Sequence, residues 1–441
     1  MKYFICCFLG LLCSISSAQH SISGTVSPAE DFSWLIAYRL KPGSQVYVKD
    51  TKVENGAFTL ALPADAKAGT YRIVYAVPQE DFYFDIIYSG KEDVTLAFKE
   101  STGAVFTESK ENILFQSYFS EVNTLEQELV NLYKTQNTKT KKYTELTKAL
   151  TATQERYLEK SKGLFCHSFI AANNPFAPKE YVPLDAYVDQ RKQQYFKALD
   201  FSNEHLQSST FLTEKVVNYV MTALPLEVLS AEDTEMVMEQ NVNTVATHTK
   251  EVDKNFQTHL FYNLWGQTSA SGFNATADYI YNNFLKNLAT TTGSSEITTA
   301  IEEYNRTRLG AIPPDIEWKE GNATHKLSTT DGAAQYVLVF WSSTCGHCLK
   351  ELPKLHDGIK ANTTIKVIAV GLEEDTANWD IETKKLGRFT HTIALGKWDS
   401  SYAEAYNIQQ TPSYFVLDKD KKIVAKPEDY MEVLEFLEKG Q

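Results

Sequence analysis

Apolar and polar residues alternate through the first hundred positions of the chain. Val46 and Val48 alternate in QVYV, and Asn55-Gly56, a hairpin-turn pair, leads into alternating Phe58, Leu60 and Leu62. Tyr71, Ile73, Tyr75 and Val77 keep the same period of two, as do Val94, Leu96 and Phe98. Short strands broken by Gly, Pro and Asp turns predict a small antiparallel β-sandwich over residues 19–105. The period then lengthens. Tyr118, Val122, Leu125, Leu129 and Leu132 follow helical spacing, and so do Phe256, Leu260 and Leu264, and Ile280, Phe284 and Leu288. This predicts a central all-α region over 106–308, interrupted by the loop NNPFAP at 173–178. LGAIPPDIEW (309–318) reads as an exposed linker, because two prolines in series cannot continue a helix. Beyond it strands and helices alternate. YVLVFW (336–341) is a buried strand, followed by a helix over 346–361 and the strand IKVIAVGL (365–372). A helix over 375–386, a strand at 391–395, a short helix at 401–406, the strand SYFVL (413–417) and a helix over 428–439 complete the chain. That alternation predicts a C-terminal α/β domain over 309–441, with helices on both faces of its sheet.

The amino terminus, MKYFICCFLGLLCSISSAQH, changes the setting. Lys2, an apolar run over residues 3–13 and small residues at Ser16 and Ala18 predict an export signal cleaved after Ala18. The run is too short to span a bilayer, and no later run is long and apolar enough to do so. Cys6, Cys7 and Cys13 leave with the signal. A lipidated cysteine needs a small residue before it, whereas Leu12 precedes Cys13 and Cys6 precedes Cys7. The full chain carries 43 Lys+Arg against 56 Asp+Glu, a net charge of −13, which argues against nucleic acid as a partner.

Three cysteines remain: Cys166, Cys345 and Cys348. That is too few for a disulfide framework, and 441 residues suffice for a hydrophobic core without one. Cys345-Gly346-His347-Cys348 follows a buried strand and opens a helix. Free amides and the dipole at a helix N-terminus favour a thiolate, so Cys345 is the expected nucleophile. Cys348, about a turn further in, is the expected resolver, attacking Cys345 once a mixed disulfide has formed. A structural bridge across two residues would remove little chain entropy. Zinc would need four ligands, and there is no second CxxC. A c-type haem would need His at position 349, which is Leu349. His347, between the two cysteines, is expected to stabilise the thiolate and make the disulfide more oxidising. Cys166, in GLFCHSF, reads as a buried small hydrophobe. His167, His248, His259 and His391 show no ligand spacing.

Residues 310–441 resemble a thioredoxin-fold domain of the TlpA/ResA-like thiol–disulfide oxidoreductases. Besides the CxxC, Pro353 falls where that fold kinks its active-site helix, and Thr411-Pro412 matches the cis-proline that faces the cysteines. An extra helix–strand unit between them is a feature of this subgroup. The β-rich N-terminal region resembles that of such proteins from Bacteroidetes-type bacteria. The resemblance implies a periplasmic enzyme with Cys345 and Cys348 as its redox-active disulfide, without cofactor or metal. It also implies protein disulfides as substrates, a substrate-binding face at Trp341, Thr411 and Pro412, and a membrane thiol carrier as electron donor. Two positions depart from thioredoxin. Its buried aspartate, six residues before the first cysteine, is Val339 here, and the usual Trp before that cysteine is Thr344. Glu351, three residues beyond Cys348, matches the glutamate of the CxxCxxE pattern and is the expected proton acceptor for Cys348. The expected activity is reduction or reshuffling of protein disulfides. An envelope docking protein with a secondary thioredoxin domain, and a disulfide donor, are the alternatives.

Overall fold

The computed structural model describes residues 20–135 and 140–439. The expected export signal, with Cys6, Cys7 and Cys13, lies outside them. By compactness the chain divides into one unit up to Gly293 and a second from Ser294 onward.

The first unit begins with β1 (Ser21–Ser27), β2 (Trp34–Lys41), β3 (Ser44–Lys52), β4 (Ala57–Ala61), β5 (Gly69–Val74), β6 (Tyr83–Tyr88), β7 (Val94–Lys99) and β8 (Gly103–Glu108). They form two four-stranded sheets, ordered β4-β1-β7-β8 and β3-β2-β5-β6. Alternation puts Phe58 and Leu60 of one sheet, and Leu35, Tyr71 and Ile73 of the other, into one shared core. One pairing departs from the antiparallel expectation: β1 and β7 run parallel. Strands far apart in sequence are free to pair this way, because the intervening chain serves as the crossover. The alternation also ends sooner than its pattern suggests, since β5 stops at Val74 and Val77 is 70 % exposed.

The helices of this unit are α1 (Lys110–Lys134), α2 (Thr140–Lys160), α3 (His167–Ala172), α4 (Leu184–Gln194), α5 (Glu204–Gln207) and α6 (Thr210–Thr222). They continue with α7 (Ala231–Thr249), α8 (Lys254–Ala270), α9 (Asn274–Ile280) and α10 (Lys286–Thr292). Ser109 starts α1 by accepting the Asn112 N–H, and Tyr118, Val122, Leu129 and Leu132 form the buried stripe that the period foretold. Asn112 also exchanges two hydrogen bonds with the Ile87 backbone, at 2.8 and 2.7 Å, which fastens the helices to β6. The run through Ile280, Phe284 and Leu288 is not one regular α-helix, because a π-helical turn at Tyr281–Leu285 separates α9 from α10.

The second unit opens with α11 (Ser295–Thr307), then β9 (Glu317–Glu320), β10 (Ala323–Lys326), β11 (Gln335–Trp341), α12 (Cys348–Gly358) and β12 (Ile365–Glu373). It ends with α13 (Ala377–Glu382), β13 (Thr390–Leu395), α14 (Ser401–Ala405), β14 (Ser413–Leu417), β15 (Ile423–Ala425) and α15 (Tyr430–Lys439). The central sheet is ordered β13-β12-β11-β14-β15. β11, β12 and β13 are parallel, while β14 and β15 each run antiparallel to their inner neighbour. β11 is buried on both faces, which explains its unbroken apolar run. Tyr336, Leu338 and Phe340 pack on one side, and Val337, Val339 and Trp341 pack on the other, beneath α12 and α15. Gly371 on β12 admits the Trp379 indole, since a Cβ there would lie 2.4 Å from its Nε1.

The expected linker is instead part of this unit. Gly310 donates to the Ile423 carbonyl and the Ile423 N–H donates to Ala311, so the segment is laced onto β15. Ile316 and Trp318 enter the core, and β9 with β10 makes a small hairpin. The prolines stop a helix, but the apolar residues after them have a face of the sheet to cover. No helix among the described residues is long and apolar enough to cross a membrane.

Candidate active site

β11 ends at Trp341, and a short loop carries Ser342 to His347 before α12 begins at Cys348. Cys345 thus sits just ahead of the helix, not within its first turn. The Cys348 N–H donates to the Cys345 Sγ at 3.3 Å, so an orphan amide of the helix N-terminus points at this sulfur. The Cys345 thiol reaches the Thr411 carbonyl at 3.4 Å, across from the cis Thr411–Pro412 peptide. Both thiols are free.

The two sulfurs live in different environments. Cys345 is partly exposed, while Cys348 is 0 % exposed. Burial pushes the Cys345 thiol up, but hydrogen bonds from Cys348 and at Thr411, with the backbone N–H groups of Cys348 and His347, outweigh it and bring the thiol below its ordinary value. Burial, reinforced by the neighbouring Cys345, pushes Cys348 up to about 12. One sulfur is partly exposed and acidified. The other stays protonated until something takes its proton.

The remaining expected site residues divide. Thr411 and Pro412 lie at the cysteines. Glu351 is half-buried on α12, and its Oε2 accepts from the Tyr414 hydroxyl at 3.1 Å and the Tyr430 N–H at 3.4 Å. Pro353 lies inside α12. His347 is exposed, and its backbone N–H is among the groups that act on the Cys345 sulfur. Trp341 does not belong to a substrate-binding face. It is 1 % exposed and packs beneath α12, because its position in β11 points it into the core. Cys166 is buried in the first unit, where burial, followed by the charge of Glu111, raises its thiol far above the ordinary range.

Sequence reasoning missed two features. Glu373, the last residue of β12, is 3 % exposed, and its carboxylate receives hydrogen bonds from the Ser342 hydroxyl and the Ser343 N–H. Lys397 and Trp398, with Cys345, Leu372 and Thr411, line a cleft of about 170 Å³ beside the Cys345 sulfur. No cluster of His, Cys, Asp and Glu suited to a metal ion occurs among the described residues.

Residues 334–423, holding the cysteine loop and the cis-proline, match the family model described as thioredoxin-like. The C-terminal unit therefore carries a thioredoxin-like domain. Among solved structures, a domain of a possible thiol-disulfide isomerase from Cytophaga hutchinsonii is 31% identical, with a TM-score of 0.27, covering 30% of this chain and 93% of that one. The thioredoxin domain of a thiol-disulfide oxidoreductase from Bacteroides vulgatus is 22% identical, with a TM-score of 0.28, over 30% of this chain and 98% of that one. A thioredoxin-like protein from Bacteroides caccae is 14% identical, with a TM-score of 0.37, and covers 60% of this chain and 98% of its own. No curated protein matches the chain. Within this thioredoxin-like domain, the cysteine loop stands at the carboxyl end of β11, where open α/β sheets place their reactive groups.

Proposed function

We propose that the protein is an exported, periplasmic thiol–disulfide oxidoreductase that reduces or reshuffles disulfides of other proteins, with a membrane thiol carrier returning its cysteines to the dithiol. The observation that carries this reading is the asymmetry of the pair: an accessible, acidified Cys345 beside a fully buried Cys348 whose thiol is held up at about 12. The Cys345 thiolate attacks one sulfur of a target disulfide. The target S–S bond breaks, its other sulfur leaves as a thiolate and takes a proton from water, and a mixed disulfide forms on Cys345. Cys348 then gives up its proton and attacks the Cys345 sulfur. The second target sulfur leaves, and the target has gained two electrons while Cys345 and Cys348 are joined. Because both partners of the second step sit on one short loop and helix start, that step is effectively intramolecular.

Trapping tests the reading. Cys348→Ser accumulates mixed disulfides on Cys345, while Cys345→Ser traps nothing. Equal trapping by both variants reverses the assignment, and no trapping by either returns the protein to the class of docking proteins. Direction is read by blocking thiols in intact cells with an alkylating agent. A largely reduced pair supports the reductase, and a pair almost wholly oxidised identifies a disulfide donor.

A further inference from the structure

Thioredoxin's buried acid has no counterpart on β11, where Val339 stands in its place. The strand register shows what lies opposite: Val339 pairs with Tyr414 on β14. Tyr414 is buried in the same cluster as Cys348 and Leu352, and its hydroxyl donates to the Glu351 Oε2 at 3.1 Å. The Tyr430 N–H, at the start of α15, holds the same carboxylate oxygen from another side. The phenol thus shares a cluster with the buried thiol and, by its pairing with Val339, a face of the sheet with the position of the missing aspartate, and it is hydrogen-bonded to the Glu351 carboxylate of α12.

We infer that Tyr414 is a positioning and proton-relay residue for the second step, acting through Glu351 on Cys348. As Cys348 attacks the Cys345 sulfur, its proton passes to the Tyr414 oxygen while the Tyr414 proton passes to Glu351. Tyr414 ends as it began, Glu351 becomes a neutral acid, and Cys348 becomes bonded to Cys345. The electron pair leaves on the target sulfur, which is free to recover the proton from Glu351 or water. The phenol does not serve as a resting base. Burial first, then the charge and hydrogen bond of Glu351, then the charge of Cys348, push its ionisation far above the ordinary range. It passes a proton only in concert with a neighbour. Burial keeps Cys348 in its protonated form, so its attack calls for a group that takes the proton. The titratable and charged groups around it are Cys345, Cys348, Glu351 and Lys354 from the α12 side, and Asp429 and Tyr430 from the α15 side.

This inference rests on the oxidoreductase reading, and the test separates the two. In the full chain, mixed-disulfide formation is followed first, then its resolution, for wild type, Tyr414→Phe, Glu351→Gln and the double variant, across roughly pH 6 to 9, a range around ordinary thiol values. Tyr414→Phe is expected to form the mixed disulfide at the wild-type rate and to resolve it roughly tenfold or more slowly, within the contribution general acid–base catalysis makes. Glu351→Gln should slow resolution likewise, and the double variant should be no slower than the worse single one, because the two act as one unit. The slowing should shrink as rising pH ionises Cys348 directly, a dependence that loss of packing alone would not give. Should Tyr414→Phe fail to fold, Glu351→Gln carries the same pH signature with the tyrosine in place. Unchanged resolution in both variants, additive losses in the double variant, or slowing independent of pH overturns the relay. Failure of Cys348→Ser to trap any partner overturns the oxidoreductase reading instead.

Discussion

Glu373 accepts the Ser343 N–H at 2.5 Å, thirty residues away in sequence and two residues before Cys345. The parallel register of β11 and β12 makes this possible by placing Trp341 beside Gly371, so the two strand ends finish together. The other carboxylate oxygen accepts from Ser342 at 3.3 Å. A single buried carboxylate therefore satisfies two donors in the loop that carries Cys345.

Removing it should loosen that loop. Glu373→Ala leaves a buried N–H without its acceptor, and the expected loss is about 1–3 kcal/mol of unfolding free energy. Glu373→Gln keeps an oxygen for Ser343 and should lose less. Urea denaturation of the full chain measures both, and mixed-disulfide formation by Cys345 should slow more in the alanine variant. Equal stability and equal rates for the alanine variant and wild type would show that other contacts hold the loop.

Much of this arrangement was legible from the sequence, and the illegible parts share a cause. YVLVFW could be read as a central strand because burial on both faces leaves no polar position in it. The cysteine pair, Pro353 and Thr411-Pro412 carry their meaning in local order. Glu373 and Tyr414 do not. Each acquires its role only when β12 or β14 is laid beside β11, and a glutamate ending a strand looks locally like the start of a turn. The segment 309–318 was misread for the opposite reason. Its two prolines are a strong local signal, while the burial of Ile316 and Trp318 is decided by a sheet formed downstream. The turn residues Gly321 and Asn322 were the available hint to the β9–β10 hairpin.

That misreading bears on the boundaries of an autonomous fragment. A fragment covering 294–441, the whole compact unit, should fold and reduce a generic disulfide about as well as the full chain. A fragment beginning at Leu327 lacks Ile316, Trp318 and the β9–β10 hairpin, and it exposes the sheet face they covered. Each fully buried large apolar side chain contributes about 1.5–3 kcal/mol, so the shorter fragment should be several kcal/mol less stable. Thermal melts of the two fragments decide the point. Matching melts would return 309–318 to the status of a linker.

The thiols should leave opposite marks on stability as pH changes. Cys348 has its folded value raised from 9.0 to about 12. Its contribution is fully present below the unfolded value and is lost as pH climbs from about 9 to 12, up to roughly 4 kcal/mol at about 1.4 kcal/mol per pKa unit. Cys345 is shifted down, so its contribution is present above the unfolded value and fades as pH falls through the folded one. In the reduced protein, wild type should therefore lose stability between about pH 9 and 11 more steeply than Cys348→Ala. Parallel curves for the two would show that the buried thiol is not held in its neutral form.

His347 can act on the Cys345 thiol through its ring or through its backbone. Its ring is exposed, where water and salt screen a charge, whereas its backbone N–H is among the groups that lower the Cys345 thiol. Position 347 has φ −70, which proline also adopts, so His347→Pro removes the N–H without demanding a new backbone angle there. His347→Ala removes only the ring. If the backbone carries the effect, the proline variant should show a higher Cys345 pKa in an alkylation-rate profile, and the alanine variant a small change. Because a more acidic Cys345 stabilises the reduced form, wild type should sit between the isomerase-like potential of about −180 mV and thioredoxin's roughly −270 mV. The proline variant should then move toward the thioredoxin end. Equal shifts in both variants would assign the tuning to the imidazole, and a shift in neither would leave the Cys348 amide and the Thr411 contact as the groups that set the nucleophile.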